Sequence, residues 1–288
     1  MQKIIIFISL LVVTISCSKN STKNYDSEND ADIQEYLTAN NLQAKKTASG
    51  LYYIVNEQGD GLQQPNIKKA GLDEIIISYK ESFLNGNNFD GTDVFGKVFD
   101  LKKAIKGISE GVSLFNEGGE GKLIIPSKLA FGSRDYNIIP AGSVLVYDFN
   151  LISTKEGLDT INKYQIKNYL DDNNLVATDS TAGIYSVMEK IGTGKSPSIT
   201  STIKLNMKGY FINNDIFIDT KDEAIELEMR NAIRGLQIGL SRFKEGGEGK
   251  ILIPSKYGYG FKGENDGIYY PPGVVLIYDI KLNSVLTE

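Results

Sequence analysis

The 288-residue chain has no histidine, no tryptophan and a single cysteine. Without an imidazole there is no histidine acid–base chemistry, no histidine metal ligand and no Ser-His-Asp triad. One cysteine cannot close an intrachain disulfide or build a thiolate zinc site. Most nucleophilic and metal chemistry is thereby removed, and no metal or cofactor is expected. Net charge is −5 and the Lys and Arg residues are not clustered, so the basic footprint of a nucleic-acid partner is missing. Apolar residues at 41 % and charged residues at 23 % are the balance of a globular chain, and the length accommodates two domains of ordinary size.

The longest apolar run, Ile4–Ile15, is too short to span a bilayer as a helix. Following Lys3 and ending at Cys17, it reads as a signal peptide over residues 1–17. The box Thr14-Ile15-Ser16-Cys17 resembles a bacterial lipoprotein signal, with Cys17 as the lipidated residue; a plain secretory signal with an incidental cysteine is the other reading. Residues 18–30, SKNSTKNYDSEND, bury too little to fold and read as a flexible tether.

Beyond them the chain is written twice. EGGEGKLIIPSKLAFG at 117–132 returns as EGGEGKILIPSKYGYG at 245–260. Ile33, Tyr36 and Leu37, on one helical face, return as Ile166, Tyr169 and Leu170; SVLVYDFNL at 143–151 returns as VVLIYDIKL at 274–282. The offsets drift between 128 and 133, as loop insertions would make them. Two repeats of this length each hold their own core, which divides the chain into domains over 31–155 and 156–288. Within a repeat, strands such as EIIISYKESFL (74–84) outnumber the one short helix predicted over 102–115. The fold class is α+β: two tandem units, each a twisted antiparallel sheet wrapped on a short helix and preceded by a helix-strand extension. Gly118, Gly119 and Gly121 read as turn residues. Neither GEGK nor GTGKS (192–196) has the spacing of a phosphate loop.

In combination, SYKESFLNGNNFDGTD, AIKGISEGV, GGEGKLIIPSKLAFG and IIPAGSVLVYDFNL resemble the FK506-binding-protein family of peptidyl-prolyl isomerases, over roughly 74–153 and 201–284. The resemblance implies a five- or six-stranded sheet around a short helix and an apolar cleft that takes a proline and speeds rotation of the preceding bond. In the first repeat it places Tyr79, Phe89, Asp90, Ile105, Ile108, Phe131, Ile139 and Tyr147 in the cleft, Ile108 standing where the family's floor is tryptophan. In the second, Phe217, Ile233, Leu236, Tyr259, Tyr270 and Tyr278 form a degenerate counterpart, with Met207 in place of Tyr79 and Ile218 in place of Asp90. The implied partners are proline-containing polypeptide clients, in a bacterial envelope where the chain is held to a membrane by its lipid. The alternative is an envelope chaperone or protein-binding module with weakened or inactive clefts. Oligomeric state is not readable.

Overall fold

The computed structural model describes residues 23–286; the signal-peptide and Cys17 readings lie outside them. The first unit opens with helix α1 (Asp26–Ala39) and strands β1 (Lys45–Lys46) and β2 (Tyr52–Glu57). Strands β3 (Glu74–Phe83), β4 (Asn88–Gly91) and β5 (Lys97–Asp100), helix α2 (Lys106–Val112), and strands β6 (Glu120–Ile125) and β7 (Leu145–Thr154) complete it. The second unit repeats the series. Helix α3 (Leu158–Asp172) and strands β8 (Asp179–Thr181) and β9 (Ile184–Lys190) are its extension. Then come β10 (Thr202–Phe211), β11 (Ile216–Asp219), β12 (Ile225–Glu228), α4 (Arg234–Leu240) and β13 (Glu248–Ile253); the short hairpin β14 (Glu264–Asn265) and β15 (Tyr269–Tyr270) precedes β16 (Leu276–Val285).

Each unit is a seven-stranded antiparallel sheet, larger than the resemblance implies because the extension adds two strands. The orders are β1-β2-β6-β7-β3-β4 with β5 also on β3, and β8-β9-β13-β16-β10-β11 with β12 also on β10. β3 alternates to bury Ile75, Ile77 and Tyr79 on one face, where they meet Leu123, Leu145, Tyr147 and Leu151 beneath α2. The opposite face of β6 and β7 presents Ile124 and Val146 to Ile33 and Leu37 of α1. Helix and sheet approach closely because the helix is glycine-faced. A Cβ on Gly107 would stand 2.3 Å from Ile125 Cγ2, and one on Gly111 2.3 Å from Leu123 Cδ1. Gly235 and Gly239 repeat the device against Ile253 and Ile251.

Three expectations are corrected. Residues 26–30 belong to α1 and not to a tether. Asn29 is buried; its Nδ2 donates to Gly142 O at 2.7 Å and its Oδ1 accepts from Ser127 N–H at 2.8 Å. Asp30 accepts from Tyr52 Oη at 2.6 Å. In α3, Asn162 makes the same pair of bonds, to Gly273 O at 2.9 Å and from Ser255 N–H at 2.7 Å. The helix over 102–115 is shorter than predicted, with Ile105 as its N-cap. The Gly-rich motif is structural, and Gly121, read as a turn residue, lies instead within β6. Gly118 has φ of 79°, which only glycine adopts freely, and the buried Glu117 before it accepts 2.7 Å bonds from Thr154 N–H and Oγ1, tying the turn to the end of β7.

Candidate functional site

The first candidate groove is built on β3. Because alternate residues of a strand share a face, Tyr79, Glu81 and Phe83 point together toward the face of the sheet that α2 covers, opposite Phe149, Tyr147 and Leu145 of β7. The hairpin to β4 brings Phe89 and Asp90 alongside. Tyr79 Oη donates to Asp90 Oδ2 at 2.6 Å, and Gly91 N–H donates to Asp90 Oδ1 at 2.8 Å. Tyr79 stacks on Tyr147 with centroids 4.5 Å apart and planes at 17°, and Phe99 meets it edge-on at 6.2 Å.

All seven apolar residues predicted for this site join one cluster. Tyr79, Ile108, Ile139 and Tyr147 are buried, while Phe89, Ile105 and Phe131 pack half-buried on them. Asp90 is tied in through Tyr79. Phe131 stacks on the exposed Tyr136 at 4.5 Å, and Phe89 packs on Phe83 at 4.6 Å. Ile105 accepts from Ile108 N–H and Ser109 N–H through its carbonyl; its own N–H has no partner among the described residues. The loop carrying Phe131 and Ile139 is held at both ends by Asn29, through Ser127 and Gly142.

The electrostatics are uneven. Burial alone would push the Asp90 carboxyl up, but the Tyr79 hydroxyl, the Gly91 amide and Lys97 outweigh it and hold it below its ordinary value. Lys97 Nζ lies 3.9 Å from Asp90 and 4.7 Å from the centre of the Tyr79 ring. Burial, then Asp90, raises Tyr79 well above an ordinary phenol, so it stays a donor. Tyr147 is raised further by burial, and its Oη has no hydrogen-bond partner among the described residues. Glu81 was not anticipated from the sequence, although its place between Tyr79 and Phe83 was the available signal. It is 9 % exposed, and burial and Asp90, opposed by Lys97, push it up to about 7.

The second groove keeps the walls and loses the polar pair. Met207 and Ile218 occupy the places of Tyr79 and Asp90, and Asp219 turns outward to accept from Lys221 N–H at 2.8 Å. Leu236, Tyr270 and Tyr278 are buried, with Phe217, Ile233 and Tyr259 packed against them. Tyr259 stacks on Tyr270 at 3.7 Å. Phe217 meets Tyr270 edge-on at 5.2 Å and Tyr278 at 5.5 Å. Phe217 is therefore in contact with the walls it faces. Phe89 in the first unit makes its ring contact with Phe83 and none with Tyr147. Phe95 of the first unit reaches Phe211 at 5.3 Å, beside Phe217.

The family model of FKBP-type peptidyl-prolyl cis-trans isomerases matches residues 66–152 and 194–283, more than half of the chain. The FKBP-type peptidyl-prolyl cis-trans isomerase FkpA of Buchnera aphidicola subsp. Schizaphis graminum is 42 % identical over 112 residues, covering 38 % of this chain and 43 % of its own length. The protein of that name from Escherichia coli (strain K12) is 33 % identical over 132 residues, covering 44 % and 47 %. The crystal structure of FkpA from Escherichia coli aligns with a TM-score of 0.40 at 31 % identity, covering 45 % of this chain and 61 % of that one. The chain thus spans about half the length of the curated relatives it matches.

Proposed function

The chain belongs to the FKBP-type peptidyl-prolyl cis-trans isomerase family, and from that premise we propose that it is a prolyl isomerase of the bacterial envelope whose working groove is the first one. The observation that carries the assignment is the Tyr79–Asp90 hydrogen bond of 2.6 Å set among Phe89, Phe131, Ile139 and Tyr147. Rotation about the bond to proline is slow because it breaks amide resonance, a barrier of about 18–20 kcal/mol, so uncatalysed exchange takes roughly 10–100 s. No covalent step is required. The twisted bond has lost the charge separation of the planar amide, so an apolar groove that seats the prolyl ring favours the twisted form over the ground state. The unpaired Ile105 N–H is placed to receive a peptide carbonyl, and Asp90 orients the Tyr79 hydroxyl toward the groove. The experiment is isomerisation of a proline peptide by the full chain, with Tyr79→Phe and Asp90→Ala beside it. Turnover that neither substitution changes would sink the assignment.

The second groove supports a different reading: a binding surface without turnover, since Phe217 already touches Tyr270 and Tyr278 and no carboxylate is present. We assign the folding units to residues 26–155 and 156–288, the first beginning with α1, the clients to proline-containing polypeptides, and the anchor to a lipid on Cys17. Several acyl chains would hold firmly at about 0.8 kcal/mol for each buried CH₂. Mass spectrometry of the membrane-extracted chain tests the anchor: an unmodified Cys17 there, or an unchanged membrane fraction for Cys17→Ser, refutes it.

A further inference from the structure

Glu81 is the one charged side chain in the first groove with no partner. It is nine-tenths buried, yet it makes no hydrogen bond or ion pair among the described residues. A buried carboxylate is normally paired or neutralised. Its strand position aims it into the groove: it lies between Tyr79 and Phe83, opposite Asp90 on β4 and Tyr147 on β7. The charged groups acting on it are Asp90, which repels it, and Lys97, which is engaged with Asp90 and the Tyr79 ring. The second unit supplies an internal control. At the same register, opposite Ile218 and Tyr278, stands Gly209, where a Cβ would lie 2.4 Å from Phe217. A side chain at this position therefore projects at the ring that lines the groove.

We propose that Glu81 makes the first groove selective for prolines flanked by a cationic side chain, lysine or arginine. The claim rests on the first groove being the prolyl site. An apolar residue seated there strips the last water from an unpaired carboxylate and gives nothing back. A lysine or arginine supplies the missing counter-charge in a low-dielectric setting, where a charge-assisted hydrogen bond is strongest. Because Glu81 titrates near 7, the preference depends on pH. Above that value the carboxylate is charged and selects the cation; below it the protonated acid tolerates an apolar neighbour. The lysine of the substrate stays charged throughout, so the change belongs to the protein.

The test compares proline peptides identical except for lysine or leucine, placed before or after the proline. Each is followed by isomerisation kinetics and by NMR-detected binding to the full chain, with Glu81→Gln and Glu81→Gly as variants. Expected is an advantage of about tenfold for lysine peptides at pH 8, the size of one charge-assisted bond. It should fall toward unity at pH 6 and in both variants, and shrink in high salt. A wild-type ratio that is flat from pH 6 to 8, or unchanged in both variants, overturns the proposal; the wild-type profile decides even if a variant fails to fold. Selective binding without turnover keeps the role of Glu81 and removes the isomerase reading. Turnover without selectivity does the reverse, and a chain that neither binds nor turns over either peptide removes both.

Discussion

At the scale of single residues, the first groove combines groups with opposite responses to burial. Tyr79 and Asp90 satisfy each other, so the carboxylate stays charged and the phenol stays protonated. Asp90→Asn leaves the shape and removes the charge that orients the Tyr79 hydroxyl; turnover is expected to drop about tenfold, equivalent to ~1.4 kcal/mol of transition-state stabilisation, with KM for a proline peptide little changed. Glu81 has no such partner and weakens the fold instead. Its carboxyl titrates near 7 when folded and near 4.3 in an unfolded chain. The folded state therefore holds the extra proton between those values, and stability falls as pH rises through that window. The penalty is absent below the unfolded value and complete above the folded one, up to about 4 kcal/mol. Glu81→Gln should raise the melting temperature over wild type at pH 8.5 and leave it near wild type at pH 4. A gain that does not depend on pH would contradict this account.

At the scale of elements, the helix-strand extension acts on the groove through the loop that forms one of its walls. Asn29 bridges Ser127 N–H and Gly142 O, the two ends of the loop that carries Phe131 and Ile139. Replacing Asn29 by Ala leaves a buried donor and acceptor unmet, a cost of about 1–3 kcal/mol, and frees that wall of the groove. Chemical denaturation should show the loss, and hydrogen exchange at Ser127 should quicken; Asn162→Ala should do the same at Ser255. The extension is also where sequence and structure part. The repeats, the strands and the α+β class were legible because hydrophobic periodicity and near-identical segments carry them. The start of α1 was not, because Asp26 and Glu28 are solvent-facing and Asn29 is buried by pairing and not by greasiness. Composition sees only polar residues there. The shortened α2 has a related cause: Ile105 and Phe115 pack into the core but belong to the segments at either side of the helix. The residues proposed for the groove came from the resemblance, and seven of them share one core cluster. Glu81 was missed because a charged residue in a strand is ordinarily assigned to solvent.

At the scale of the whole molecule, duplication has produced two grooves of one shape and different chemistry. The first holds a polar pair, an unpaired acid and a Phe89 ring that stands clear of Tyr147. The second exchanges these for Met207, Ile218 and Gly209, and closes Phe217 onto Tyr270 and Tyr278. Glycine at 209 leaves room for Phe217, since a side chain there would collide with the ring; Phe89 and Phe217 pack alike on Phe83 and Phe211, and only Phe217 adds ring contacts to Tyr270 and Tyr278. Isomerisation by the full chain should therefore be carried by one unit. Tyr79→Phe combined with Asp90→Asn is expected to remove most of it, a fall of tenfold or more, about 1.4 kcal/mol for each factor of ten. Tyr259→Phe, which deletes the hydroxyl of the second groove but keeps its stacking on Tyr270, should leave turnover within about twofold, less than ~0.4 kcal/mol by the same conversion. Kinetics of both variants on one proline peptide decide the matter. Comparable losses from the two would mean that Phe217 moves aside in solution and that the second groove works as the first does.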